Sequence, residues 1–495
     1  MSMPRPTKLT GPEYEDTRTK EIQPSKVPDQ PYNIVIINAD TYRYDNLFDW
    51  AAAQKGRPAV ATPHLDAFAR RAVNMSRFYT GSFPTIPERT DLISGRYAWP
   101  WYPWRPLDEA NLMPQLLNRE GYVTQLICDC PHLFNMGFHR VFHAAYQVRG
   151  QEGDMPFLHL NDPIVPVMSR DKTRTGHHFQ DHILVDLHRW TNRYYRCEEE
   201  TFPYRTAQHV SRWLEENDTF RPFLLWVDFF DPHEPWDPPE YMVKAYDPDY
   251  DGDPMLHPNY GYASDYTPAE LRNLRAHYCA EATLVDRWVG RIFEKLDDLA
   301  LWDNTIVIFT TDHGMSLGEH NRTGKSNINE QDHRRWPLYP EVAHIPFLIA
   351  APGVQGGRTV DLLAQPVDIL PTLLDLSNLQ VTPPVPFHGQ SFAPSLRGEM
   401  QAPIRDWATC GCFLRNQQGS VSDTATTPVV YADRWAYAPI GQDGGAELYD
   451  LEADPYAEVN VIADHGDVAE ELHARLLQWL EEIEAPGDAI EVYLQ

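Results

Sequence analysis

Three residues of metal-ligand type stand directly after apolar runs: Asp40 follows Asn33-Ile34-Val35-Ile36-Ile37-Asn38-Ala39, and Asp312-His313 follow Thr305 to Thr311. Two carboxylates and an imidazole, with the hydroxyl of Thr85 as a fourth donor, suit a divalent cation held by mixed oxygen and nitrogen ligands. Thr85 heads the run Thr85-Ile86-Pro87-Glu88-Arg89. A free hydroxyl is a weak nucleophile at neutral pH, and a bound cation lowers its pKa and polarises the group it attacks. Threonine is stiff at χ1, so its oxygen would be well placed at the start of a helix expected near Pro87, whose N–H groups favour an anion. Arg89, one turn on, would brace Thr85 or the transferred group. Taken singly, each piece has a plainer reading: Asp-His-Gly as a turn with a capping carboxylate, Thr85 as an N-cap of an inactive protein.

The elements that would position these residues are legible as an alternation of strands and helices. Asn33 to Ala39 is apolar throughout, as a central strand of a parallel sheet must be. Tyr122 to Cys128, Pro222 to Phe230, Thr305 to Thr311 and Ile345 to Ala350 read as further strands. Thr62-Pro63 opens a helix, Thr267-Pro268-Ala269-Glu270 is a capping box before a long helix ending near Leu299, and Pro366 to Ser377 reads as another. Strands that end in polar residues and alternate with helices predict an α/β fold with its site at the strands' C-terminal ends. Residues 1–30 form a polar, proline-rich arm, and 31–400 the catalytic α/β domain. Within that domain, 130–215 breaks the rhythm and reads as an insertion that lids the site. Residues 401–495 form a smaller α+β unit, with short strands at Val429 to Tyr431, Arg434 to Tyr437 and Glu447 to Leu451 and a last helix near 467–483.

Composition bounds the partners. The formal charge of −29 comes with no long basic stretch, which argues against nucleic acid. Such a field repels anionic substrates at long range, so an anion site must be locally positive. No run of about 18 apolar residues occurs, so no membrane partner is expected. The N-terminus has no apolar targeting segment. The six cysteines, including Cys128-Asp129-Cys130 and Cys410-Gly411-Cys412, are read as reduced thiols of a cytoplasmic protein.

The run from Thr85 to Arg89, followed by Gly95-Arg96, resembles the sulfatase signature C-x-P-x-R…T-G-R, with threonine where the family carries the cysteine or serine oxidised to formylglycine. The likeness extends over nearly the whole chain, through Gly318-Glu319-His320 and Leu338 to Pro346 to the phrase Glu447-Leu448-Tyr449-Asp450-Leu451 ending at Pro455. It implies an alkaline-phosphatase-like sandwich: a large, mostly parallel central sheet flanked by helices, plus a small C-terminal antiparallel sheet with a helix. It also implies that Asp40, Asp312, His313 and Thr85 hold the metal, that His233 contacts or protonates the leaving group, and that Lys325 binds the anion. Larger family members often assemble, so a homo-oligomer is open.

Two departures bear on chemistry. Thr41 stands where the family usually has a second acid, which arylsulfatases use for calcium, so Mn²⁺ or Zn²⁺ is favoured over Ca²⁺. The family's G-K-W-H-x-G reads here Cys128-Asp129-Cys130-Pro131-His132-Leu133, placing Asp129 for a substrate-binding lysine and displacing its histidine to His132. One metal is favoured, although His320, His333 and His344 leave a two-metal site open. Together these features predict a metal-dependent hydrolase of a small anionic ester, without formylglycine. It would cleave a phosphodiester or phosphonate monoester through a phosphothreonine on Thr85, with Arg89 and Lys325 neutralising nonbridging oxygens. The rival readings are a sulfuric ester hydrolase working without formylglycine and a non-catalytic binding protein.

Overall fold

Alternation of side chains along the buried strands builds the molecule in three layers. In the computed structural model, which describes residues 31–47, 59–101, 104–155, 158, 160–174, 182–326, 334–399, 403–412 and 426–494, Val35, Ile37, Leu225, Val227 and Val307 enter one core. Their neighbours Ile34, Ile36, Leu224, Trp226 and Ile306 enter the other, as the period of two requires. The first core is closed by helices Pro63–Ala69, Phe202–Asn217 and Pro268–Asp298, the second by Thr85–Ser94, Met113–Arg119 and Ile369–Leu376. The arm expected at 1–30 lies outside the described residues, as does His333.

The central sheet has eight strands in the order Arg358–Ala364, Val73–Phe78, Phe347–Ala350, Thr305–Thr310, Asn33–Ala39, Phe223–Phe229, Val123–Cys128 and Ala144–Gln147. Only Phe347–Ala350 runs against its neighbours. Asn33–Ala39 sits between Thr305–Thr310 and Phe223–Phe229, with Asn38 level with both Thr310 and Asp228. That register brings the C-terminal ends of three strands side by side, and each delivers acidic residues to one spot. The capping box at Thr267 forms as expected: Glu270 N–H reaches the Thr267 hydroxyl and Thr267 N–H reaches the Glu270 carboxylate.

Two expectations are corrected. Residues 130–215 are not wholly an insertion. Ala144–Gln147 is the edge strand of the central sheet, and Phe202–Asn217 packs through Ala207, Val210 and Leu214 into the first core. The signal missed was the apolar spacing of that helix, hidden among the aromatics. The C-terminal sheet, with Glu447–Asp450, Trp435–Ala438, Val429–Ala432 and Trp407–Cys412 antiparallel, gains a fifth strand from the catalytic domain. Ser82–Phe83 pairs in parallel with Gly411 and Cys412. Helix Gly466–Glu482 buries Leu472, Leu476 and Leu480 with Val430, Tyr437 and Leu448.

Candidate active site

Asp40 leaves the end of Asn33–Ala39, and Asp312 and His313 leave the neighbouring strand Thr305–Thr310. One ligand atom from each lies within 4.8 Å of the others, and all three are buried. His313 Nδ1 donates to the Gly314 carbonyl at 2.9 Å, which leaves Nε2 as a lone pair, buried and without a hydrogen-bond partner. Burial brings this histidine down to about 4 against the pull of Asp312, so the imidazole is neutral, the form that binds metal. Burial would raise Asp312, but His313 and Arg89 hold it well below the usual carboxylate range. Two carboxylates and an oriented, unpartnered imidazole nitrogen fit a divalent cation.

Thr85 is the first residue of helix Thr85–Ser94 and is 2 % exposed. The helix therefore begins two residues before the expected Pro87. Pro87 has no N–H and that of Glu88 bonds to the Pro84 carbonyl at 3.1 Å, so within this first turn only Thr85 and Ile86 can offer N–H groups to an anion. Phe83, on the strand shared with the C-terminal sheet, lies 4.8 Å from the His313 ring, centroid to centroid.

Arg89 is fully buried and its guanidinium meets three carboxylates. Nη1 donates to Asp312 Oδ2 at 2.7 Å and to the Thr85 carbonyl at 3.2 Å. Nη2 lies 3.1 Å from Asp40 Oδ2, and Nε and Nη2 grip Asp228 at 2.9 and 2.8 Å. The role expected for Arg89 on nonbridging oxygens is accordingly corrected: it braces the first helical turn against the ligand carboxylates. Asp228 is the residue missed. It lies within an otherwise apolar strand, where a buried acid needs a partner; it also accepts from Trp226 Nε1 at 3.1 Å and Asn38 Nδ2 at 3.3 Å.

Thr41, in the place of the family's second acid, has φ +64°, an unusual conformation for a β-branched residue. Its N–H donates to Asp312 Oδ1 at 3.0 Å and its hydroxyl to Asp40 Oδ1 at 2.7 Å. Lys325 Nζ is 3.4 Å from that hydroxyl and 3.6 Å from Glu234 Oε1, so the lysine does stand beside the ligand set. Burial would raise Glu234, but His233, Lys325 and His257 hold it below the usual range. His233 stacks on Phe230 at 4.0 Å, and its Nδ1 donates to the Glu234 carbonyl at 2.6 Å. That bond leaves Nε2 as the ring nitrogen without the proton. Burial pushes His233 well below the usual value. It also brings His132, which packs against Phe230 with ring centroids 5.5 Å apart, down to about 3.

Asp129 does not face this group. Its side chain accepts from the Thr206 hydroxyl at 2.6 Å and the Phe230 N–H at 2.5 Å, and it is fully buried. The substrate-binding role expected for it is corrected: both oxygens tie helix Phe202–Asn217 to the loop carrying His233. Burial raises this carboxyl to about 7. Among the described residues, the Asp40, Asp312 and His313 group is the one cluster of metal-ligand type. His320 Nε2 pairs with the Tyr456 carbonyl and His344 Nε2 with that of Ser76. All six cysteines are free thiols, and no helix among the described residues is long and apolar enough to cross a membrane.

A three-layer sandwich carries acids and a histidine at the ends of adjacent strands, with the start of helix Thr85–Ser94 tied to two of those acids through Arg89, and the comparisons with known proteins place it among the hydrolases of the alkaline phosphatase superfamily. The sulfatase family model matches residues 32–379, and a model of the N-sulphoglucosamine sulphohydrolase C-terminal region matches 331–485. The chain belongs to the sulfatase family. It is 26% identical over 494 residues to an ulvan-active sulfatase of Formosa agariphila, covering 97% of this chain and 86% of that protein. It is 24% identical over 507 residues to a multifunctional alkaline phosphatase superfamily protein of Trinickia caryophylli, covering 87% and 91%. Among solved structures, a phosphonate monoester hydrolase of Agrobacterium radiobacter aligns with a TM-score of 0.66 at 24% identity, covering 91% of this chain and 96% of that one.

Proposed function

We propose that this hydrolase cleaves a phosphodiester or phosphonate monoester through a covalent intermediate on Thr85, a phosphothreonine that keeps the substrate's second substituent on phosphorus. The observation that carries the reading is Thr85. It occupies the signature position at the start of its helix, tied through Arg89 to Asp40 and Asp312, yet it cannot be oxidised to the aldehyde that makes sulfate-ester turnover easy. A divalent ion held by Asp40, Asp312 and His313, for which we favour Mn²⁺ or Zn²⁺ because Thr41 replaces an acid, would activate the hydroxyl and polarise the phosphoryl oxygens.

The Thr85 oxygen, its proton given up to solvent, bonds to phosphorus as the bond to the leaving oxygen breaks. The leaving oxygen takes its proton from water, because His233, neutral and protonated on Nδ1, has none on Nε2 to give; the family's proton-donor role expected for it is corrected to a contact. Water then cleaves the bond from phosphorus to Thr85 and restores the hydroxyl. Lys325 and the N–H groups of Thr85 and Ile86 balance the nonbridging oxygens. The missing lysine at position 129 leaves less positive charge than a dianion asks for, which favours monoanionic esters. A small anionic ester is thus the partner, and no nucleic acid or membrane is invoked.

The resemblance to the ulvan-active sulfatase favours a second reading, sulfate-ester hydrolysis without formylglycine. A paired rate comparison of wild type and Thr85→Ala decides between them. The substrates are p-nitrophenyl phosphate, bis-p-nitrophenyl phosphate, a p-nitrophenyl phosphonate and p-nitrophenyl sulfate. Dominant diester or phosphonate turnover that vanishes in Thr85→Ala is expected; dominant sulfate turnover overturns it.

A further inference from the structure

The lysine that serves the anion has an acid of its own. Glu234, next to His233 on the loop after strand Phe223–Phe229, is fully buried, and its Oε1 lies 3.6 Å from Lys325 Nζ. The Tyr260 hydroxyl donates to the same oxygen, while Oε2 has no hydrogen-bond partner. Gly324, at φ +106°, lets the Tyr260 ring lie where a Cβ would come within 2.9 Å of it, directly before Lys325. Lys325 Nζ is in turn 3.4 Å from the Thr41 hydroxyl, which donates to Asp40 Oδ1. One ammonium thus stands between a buried carboxylate and the ligand set. Burial would raise the Glu234 carboxyl, but its surroundings, Lys325 among them, hold it below the usual range, so it is ionised. Burial keeps His233 and His257 neutral, His257 at about 4. Among the described residues, Lys325 is therefore the one charged cation within ion-pair reach of Glu234.

We infer that Glu234 sets the charge of the ester this site accepts: it offsets Lys325 and so turns away dianionic phosphate monoesters in favour of monoanions. The inference rests on the ester-hydrolase reading above, with Lys325 on the anion, and adds the residue that selects within it. The missing lysine at position 129 removes attraction. Glu234 supplies repulsion, and selectivity gains from a group that penalises the wrong ligand. A carboxylate and an ammonium 3.6 Å apart present little net charge to a ligand beyond them, whereas Lys325 alone would present a full positive charge. The carboxylate is buried and weakly screened, and a dianion feels it twice as strongly as a monoanion does. Arg174, 5.4 Å from the Tyr260 ring centroid, and Glu152, 3.9 Å from His233 Nδ1, add one cation and one acid to the surroundings. Arg89 is taken up by its three carboxylates.

The test measures affinity by calorimetry on the metal-loaded Thr85→Ala protein at pH 8, with phenyl phosphate as the dianion and methyl phenyl phosphate as a monoanion of similar size. Adding Glu234→Gln, which keeps the shape and removes the charge, is expected to raise the ratio of dianion to monoanion affinity about tenfold. Tyr260→Phe, which removes the bond to Glu234 but keeps its charge, should leave that ratio within about threefold of the parent. An unchanged ratio in Glu234→Gln overturns the inference, and so do equal shifts in both variants, which would mark a structural role. Should Glu234→Gln fail to fold with Lys325 uncompensated, Lys325→Gln is compared with Glu234→Gln/Lys325→Gln, in which the whole pair is replaced. The double variant should exceed the single one in that ratio by about tenfold, and equal ratios overturn the inference. Rates on bis-p-nitrophenyl phosphate separate the two readings. If Thr85→Ala still turns over while the ratio shifts with Glu234, the nucleophile reading fails and the role of Glu234 stands. If Thr85→Ala is inactive and the ratio is unmoved, the role of Glu234 fails and the nucleophile stands.

Discussion

Arg89 and Asp228 meet in a two-pronged bridge, Nε to Oδ2 at 2.9 Å and Nη2 to Oδ1 at 2.8 Å, with neither side chain exposed. The pair fixes the guanidinium plane, and the plane fixes where Asp40 and Asp312 point. Removing one partner of a buried pair leaves the other charge poorly compensated, at a cost of about 3–5 kcal/mol. Asp228→Ala should therefore lower the denaturation free energy by roughly that amount and cut kcat/KM at least a hundredfold. Asp228→Asn should do less to stability. Urea titrations with parallel rate measurements check this, and an unchanged rate would mean that Arg89 is held well enough by the other two carboxylates.

At Thr85 the expected order is wild type above Thr85→Ser, with Thr85→Ala inactive. Serine keeps the hydroxyl but loses the stiffness of the β-branch, so a loss of about tenfold in kcat is expected. Mass spectrometry of acid-quenched wild type should find the substrate's phosphoryl or phosphonyl group, with its retained substituent, on the peptide containing Thr85. The complementary variant, Thr85→Cys, restores the family signature. Co-produced with the formylglycine-generating enzyme, it should acquire the aldehyde and gain aryl sulfate turnover at the expense of diester turnover. Sulfate turnover no better than wild type would show that more than residue 85 separates the two chemistries.

Thr41 supplies a test of metal choice. Aspartate tolerates the left-handed region better than a β-branched residue does, so Thr41→Asp relieves backbone strain while adding a third carboxylate. Metal-free Thr41→Asp should be less stable than wild type through repulsion from Asp40 and Asp312, and should be restabilised by Ca²⁺ more than wild type is. His313→Ala should lose most of the bound ion. Elemental analysis of extensively dialysed protein, with melting curves in Ca²⁺, Mn²⁺ and Zn²⁺, reads both. Wild type is expected to carry one ion per chain.

The Glu152 carboxyl, with its side chain 8% exposed, is pushed by burial up to about 7. A raised carboxyl contributes stability that is full below its unfolded value near 4.5 and is lost as pH rises through 7. Glu152→Gln cannot ionise, so its stability relative to wild type should improve between pH 5 and pH 8, by up to roughly 3 kcal/mol. Melting temperatures of both proteins across that range decide it. A difference that stays flat with pH would show that Lys325 and Arg174 keep Glu152 ionised throughout.

The strands were legible because the central sheet is buried on both faces and announces itself as apolar runs; Asn33–Ala39 has the extent read from sequence. The capping box at Thr267 was legible because its chemistry is local. What failed was non-local. Asp228 finds its counter-ion 139 residues away, and no pattern near either residue advertises the pair. Asp129 was placed at the substrate because it aligns with a family lysine. A shorter acid at that position turns inward to Thr206 and the Phe230 N–H instead. The start of helix Thr85–Ser94 was misjudged by two residues because Pro87 looked like its first residue.

Ser82–Phe83 pairs with Gly411 and Cys412, and Thr85 is two residues further on. The segment leading into Thr85 is thus stitched on one edge to the C-terminal sheet, so that sheet belongs to the frame of the site although Asp40, Asp312 and His313 all lie outside it. A fault that loosens the smaller unit is felt at residue 85 from outside the catalytic domain.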